Sequence, residues 1–192
     1  DMSFATVHGT NVYSATMANL TEAMDIISSQ MDEESHFLFF AYDHGSGVTP
    51  NDDPAGYAVD YNDYLCGWSG NRSEFLLGAD VARQLFKIRE GYITCLFSEC
   101  FSGGILDDIF TVSTDEPNES YHGNAHFYGA AATNHYEQSW TGWDETGVYY
   151  GAAQGFTAAM SADGGGLLNT NECYEYMIAH NSFVAVEEIY NK

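Results

Sequence analysis

Two short runs constrain this chain more than any other part of it. Residues 37–42 read Phe-Leu-Phe-Phe-Ala-Tyr, and residues 92–97 read Tyr-Ile-Thr-Cys-Leu-Phe. Side chains on a strand alternate between faces, so a strand with one wet face alternates apolar and polar residues. The first run does not alternate, and the second is β-branched and aromatic with Thr94 as its one polar residue. That is the pattern of strands covered on both faces, which belong to parallel or mixed sheets flanked by helices.

The segments between the runs supply the helices. Asn19 followed by Glu22 resembles a capping box, and Leu20, Met24, Ile27 and Met31 follow at helical spacing, so a helix is expected over 20–31. Leu77, Val81, Leu85 and Ile88 mark a second helix. A third apolar run, residues 125–132, reads as another short strand; a helix rich in small residues is expected over 147–160, and a last helix, capped by Asn171, through Ala179 before an amphipathic tail. Residues 48–70 carry Pro, Asn, Asp and Gly and read as a long surface loop, and 107–123 as polar, irregular chain. There is no internal repeat or low-complexity linker, so 192 residues make one α/β domain.

Charge narrows the partners. Five Lys and Arg stand against 28 Asp and Glu, a net charge of −23. Nucleic acids and anionic membranes are bound through basic side chains, so neither is an expected partner. No run approaches the roughly 18 apolar residues that cross a bilayer. The acidic, Lys-poor, aromatic-rich composition suits a secreted bacterial protein. Four cysteines without CxxC spacing make neither a disulfide scaffold nor a zinc site. Cys95, inside a strand, reads as a buried apolar residue, and Cys66 and Cys173 are either free or paired. No HExxH or similar His pair suggests a metal. The pairs Asp52-Asp53 and Asp107-Asp108 lack the Asp-x-Asp-x-Asp-Gly loop that would hold calcium, so they read as solvated faces and no cofactor is expected.

The chemistry should lie beyond the carboxyl ends of the strands, where open α/β sheets bind ligands. The first run ends in Asp43-His44-Gly45-Ser46-Gly47 and the second in Ser98-Glu99-Cys100-Phe101-Ser102-Gly103-Gly104. A lone His or Cys in such a protein is usually structural. Here both occur at successive strand ends, each with Gly close behind. Cys100 follows His44 by 56 positions, room for one strand-helix-strand crossover. A thiol beside a His is a strong nucleophile. Gly45 permits close backbone approach, and the amides of Gly103 and Gly104 stand where they can face an oxyanion.

Phe-Phe-Ala-Tyr-Asp-His44-Gly-Ser and Cys-Leu-Phe-Ser-Glu-Cys100-Phe-Ser-Gly-Gly together resemble the caspase-like cysteine peptidases: caspases, metacaspases, legumains, gingipains and clostripain-like enzymes. The His-to-Cys spacing is near the about 50 residues known for caspases. Asp-His-Gly-Ser, and Ala-Ala-Ala-Thr-Asn134 followed by Glu137-Gln138-Ser139-Trp140, look most like the legumain branch. The segment at Phe156-Thr157 resembles a helix of the bacterial and metacaspase-type members. The resemblance spans roughly residues 4–182. It implies a caspase-like three-layer sandwich, a mostly parallel sheet flanked by helices, filling the whole chain as a single peptidase domain. It implies a cysteine endopeptidase acting on peptide or protein substrates without a cofactor. His44 is then the general acid and base and Cys100 the nucleophile. The backbone amides of Gly45 and Cys100 form the oxyanion hole. Ser139 and Trp140 line the primary specificity pocket, and Asp144 supplies it with an acidic group.

The chain departs from its relatives in two places. They carry Asp, Glu or Gln two residues before the Cys, where it shapes the pocket; here that position is Ser98 and the acid is Glu99, so substrate preference does not carry over. They also begin with a strand and helix that precede the segment matching residues 4–7, and that strand lies beside the His strand. Because unpaired backbone buried in a sheet is costly, a separate N-terminal piece, cut from the same precursor, is expected to complete this fold. A chain beginning at Asp1 without Met or a signal peptide fits cutting or trimming of its ends. Lys192, where the chain stops, fits a cut after Lys, and scarce basic residues suit a peptidase that cleaves after Lys or Arg. A generally acidic composition explains that scarcity at least as well. Cleavage after a basic residue is the first expectation and after Asn the second. A transpeptidase in which an amine replaces water, a catalytically inactive caspase-like binding module and an unrelated hydrolase with the same dyad are the alternatives.

Overall fold

The two apolar runs are neighbouring strands of one sheet. The computed structural model describes residues 5–7, 10–47, 63–115, 123–133, 138–139, 142–143, 149–150 and 189–191. Strand β3 (His36–Ala41) lies parallel to β7 (Tyr92–Phe97), with Ala41 opposite Phe97. On its other side β7 pairs in parallel with β8 (His126–Ala131), the third apolar run. Strand β11 (Ile189–Asn191) adds antiparallel to β8. The order is β11-β8-β7-β3, three parallel strands and one antiparallel edge. Two short antiparallel pairs join β1 (Ala5–Val7) to β2 (Thr10–Val12) and β9 (Gly142–Trp143) to β10 (Tyr149–Tyr150). A three-stranded antiparallel sheet combines β4 (Gly45–Ser46), β5 (Tyr64–Trp68) and β6 (Ser73–Leu77).

Three helices meet the main sheet in one core: α1 (Met17–Ser28), α2 (Gly78–Leu85) and α3 (Ser102–Asp115). Met24, Val81, Leu85, Ile105, Leu106 and Ile109 pack with Ile93, Cys95, Phe97 and Phe127. Alternate residues of β7 and β8 therefore point at the helices, as the pleat requires. The structure is thus α/β, a parallel three-stranded sheet flanked by helices.

Several expectations from sequence need correction. The cap of α1 is Thr16, whose side chain accepts from the Asn19 amide; the Asn19 side chain donates instead to the Ser14 carbonyl at 2.7 Å. The helix therefore starts three residues before Leu20, because Thr16 offers a β-region backbone and a hydroxyl at the right distance. Leu77 ends β6 rather than opening α2, and Ile88 packs in the core beyond its end. Tyr64–Trp68 is a strand, not loop. Helix α3 continues to Asp115 through Asp107-Asp108, which the sequence presents as irregular chain. Tyr149–Tyr150 form strand, not helix; the rest of 147–160 and all of 171–179, Phe156, Thr157 and Cys173 included, lie outside the described residues. Cys66 and Cys100 are free thiols, and so is Cys95, which is fully buried as expected, its thiol pushed up to about 12 by burial.

The largest correction concerns β3. Only Phe37, Phe39 and Ala41 pack on the core; Leu38, Phe40 and Tyr42 are 48%, 46% and 49% exposed. Among the described residues β3 pairs on one side only. The apolar run is real, but one face of its strand is exposed and, among the described residues, one edge has no neighbour. Among the described residues no helix is long and apolar enough to cross a membrane.

Candidate active site

Strand register brings the His and Cys loops together. Ala41 and Phe97 are opposite each other, and His44 and Cys100 each stand three residues further on. The ladder continues one step past the strands, where the Ser98 amide donates to the Ala41 carbonyl at 3.0 Å. The next contact joins the loops. A Cβ on Gly45 would fall on the Cys100 carbonyl oxygen and lie 3.0 Å from the Cys100 carbonyl carbon and the Glu99 Cβ. Only glycine lets the two backbones meet this closely. Gly45→Ala is expected to destabilise the fold by about 1–3 kcal/mol, the usual range for overpacking, and urea unfolding of the two proteins measures it.

The backbone holds the His44 loop on both sides. The His44 amide donates to the Asp43 carboxylate at 2.8 Å, and its carbonyl accepts from the Cys66 amide at 3.0 Å. Its imidazole is exposed. The Cys100 loop is held more tightly. Phe101 has a φ of 59°, a left-handed conformation rare and strained for a large side chain. Ser102 and Thr133, both buried, tie the loop to the end of β8. The Ser102 hydroxyl accepts from the amides of Ala132 and Thr133 at 3.1 and 3.3 Å, and the Thr133 hydroxyl donates to the Glu99 carbonyl at 3.5 Å. This brace stabilises the turn that presents Cys100 at the head of α3. The Ser102 amide donates to the Thr133 hydroxyl at 3.3 Å, and the dipole of α3 favours negative charge in front of its head.

Each expected site residue has a definite place. Cys100 is half-buried, with Sγ 3.6 Å from the Ser139 Oγ and 3.8 Å from the Ser139 carbonyl oxygen, so Ser139 stands directly against the thiol. Ser98 is buried, and its hydroxyl has no hydrogen-bond partner among the described residues. Glu99 is 1% exposed and lines a different space, a groove it shares with His44, Asp43 and Cys66 beside α1. Burial pushes its carboxyl up to about 8, with Asp43 raising it further and backbone hydrogen bonds opposing. Trp140 and Asp144 lie outside the described residues. Gly103 and Gly104 belong to α3, and the Gly104 amide donates to the Phe101 carbonyl at 3.1 Å, so that amide is not free to face an oxyanion.

Nothing in the residue pattern singles out Asp63, yet it is completely buried behind the site, and among the described residues neither of its carboxyl oxygens has a hydrogen-bond partner. A Cβ on Gly104 or on Gly47 would collide with its carboxyl group. Burial, then the negative charges of Asp108 and Asp107, push its pKa up to about 8. Asp108, expected on a solvated face, is instead half-buried, and burial pushes it up to about 7. Among the described residues no group of His, Cys, Asp and Glu has the arrangement of a metal site.

Known proteins offer a fold likeness alone. No family's sequence pattern and no curated protein matches the chain. The crystal structure of protein GSU0716 from Geobacter sulfurreducens is similar over 92% of this chain and 73% of its own, with a TM-score of 0.59 at 12% identity. At that identity the likeness speaks to the fold and to no activity.

Proposed function

We propose that this chain is a cysteine endopeptidase with a caspase-like three-layer fold. The observation that carries the reading is the seating of Gly45 on the Cys100 carbonyl at the carboxyl ends of two in-register parallel strands. In the proposed reaction the Cys100 thiolate attacks the scissile carbonyl carbon, forming a C–S bond. The oxyanion is held by backbone amides and favoured by the head of α3. The C–N bond then breaks as His44 gives its proton to the leaving amine. Water, deprotonated by His44, attacks the thioester and releases the acid and the thiol. Ser139, against Sγ, borders the substrate's entry, and the resemblance assigns it, with Trp140 and Asp144, to the specificity pocket, with Ser98 at the position that shapes that pocket in the relatives. A separate N-terminal strand beside β3 belongs to the same proposal and is supported by that strand's exposed apolar face and by its having one edge without a partner among the described residues.

The reading is tested with a peptide library varied at the residue before the scissile bond. Cleavage after one residue type, with Lys or Arg first and Asn second, is the expected result. A folded protein that cleaves no peptide and leaves Cys100 untouched by every thiol-directed peptide warhead would overturn it.

A further inference from the structure

The groove that holds Glu99 runs along the edge of β3 that has no strand partner among the described residues. Phe39, Phe40, Ala41 and Tyr42 all line it. Successive residues point to opposite faces of a strand, so a space touching all four follows the strand's backbone edge. Its volume is about 530 Å³, and α1 forms the opposite wall through Leu20, Ala23, Ile26 and Ile27. An open apolar edge of this kind is a ready template for an added strand.

The charged side chains at the groove, His44 aside, are acidic. Glu22, Asp43 and Glu99 line it, and among the described residues no Lys or Arg does. Glu99 sits beside the carboxyl end of β3, 1% exposed, and its Oε2 has no hydrogen-bond partner among the described residues. A buried carboxyl oxygen without a donor is a destabilising feature that a ligand can remove. The chain itself has five Lys and Arg in all, so a second copy of it is a poor source of that donor.

We propose that the groove binds a separate polypeptide segment, extended along β3 and apolar on alternate residues, that places a Lys or Arg side chain against Glu99. This rests on the reading that β3 takes a further strand, and adds what that strand must carry. The aliphatic stem of the basic residue lies on the apolar walls while its charged head meets the carboxyl group, and a charge-assisted hydrogen bond is stronger than a neutral one. Glu99 adjoins Cys100, so the bound strand also fixes the backbone from which the nucleophile projects.

The test uses fluorescently labelled nonapeptides of alternating Val and Thr in which one position is Lys, norleucine or Glu, titrated onto the whole chain with amide exchange followed in parallel. The Lys peptide is expected to bind about tenfold more tightly than the norleucine peptide, a difference of about 1.4 kcal/mol, and the Glu peptide more weakly than both. Binding is expected to slow exchange at residues 37–42, and Glu99→Gln is expected to reduce the preference for Lys to less than about threefold. Equal affinity for Lys and norleucine peptides, with β3 protected, would overturn the charge assignment and leave the added strand standing. No protection of β3 by any peptide would overturn both. Binding that disappears once Cys100 is alkylated would place the peptides at the thiol and overturn the inference. A dimer that the Lys peptide fails to dissociate would overturn it in favour of a second copy.

Discussion

Replacing Cys100 with Ala is expected to remove peptide cleavage, a fall of at least about 10⁴-fold in kcat, the scale on which loss of a covalent nucleophile registers. The same change should leave urea unfolding within about 1 kcal/mol of the starting protein, because the thiol is half-buried and its neighbours are Ser139 atoms at 3.6 and 3.8 Å, weak contacts for sulfur. His44→Ala should behave in the same way, with a loss of about 10²–10⁴-fold. The hydrogen bonds that hold His44 use its amide and carbonyl, not its ring, so removing the ring leaves the loop in place. Function and folding are thus expected to separate at both positions. Alkylation offers a second readout. Burial raises the thiols of Cys66 and Cys95, so of these three Cys100 should be modified first at neutral pH. Undiminished cleavage by the Cys100→Ala protein would end the peptidase reading at this residue.

How much can be read from the chain differs from element to element, for physical reasons. The apolar runs of β3, β7 and β8 declare their pairing because burial selects their side chains directly. The His and Cys loops follow from where those strands end. The cap of α1 is ambiguous in sequence because Thr16 and Asn19 are both good caps, and only the backbone conformation decides between them. Helix α3 is hidden past Asp107 because its acidic residues, which read as solvated, sit against α2 and Asp63. The open face of β3 is hidden for the opposite reason. A strand that awaits a partner has the same composition as one already covered, so Leu38 and Phe40 carry no mark of their exposure. The brace of Ser102 and Thr133 leaves no trace either, since two small hydroxyl residues 31 positions apart are joined only by the fold.

Acidification from pH 8 towards pH 4 is expected to stabilise this protein, and Asp63→Asn to reproduce much of that gain at pH 8. An unfolded Asp loses its proton near about 3.9. Folded, Asp63 keeps it up to about 8, because the site is dry and Asp108 and Asp107 are close. Between those values the native state binds more protons than the unfolded state, so stability falls as pH rises through the window and levels off above it. Glu99 and Asp108 are shifted in the same direction, chiefly by burial, and a net charge of −23 adds repulsion that protonation relieves. An Asn at position 63 has nearly the same shape and no proton to lose. It should therefore gain about 2 kcal/mol or more at pH 8 and close to nothing at pH 4, given about 1.4 kcal/mol for each tenfold change in proton affinity. Urea unfolding of both proteins at pH 4, 6 and 8 measures the difference directly. A starting protein whose stability is level across that range, or an Asn variant weaker than it at pH 8, would show that Asp63 is not held protonated. The position gives the result a functional edge. Asp63 fills the space between Gly47 on the His44 loop and Gly104 behind Cys100. A charge developing there falls between the two halves of the site, so cleavage is expected to weaken over the same pH range in which the fold does.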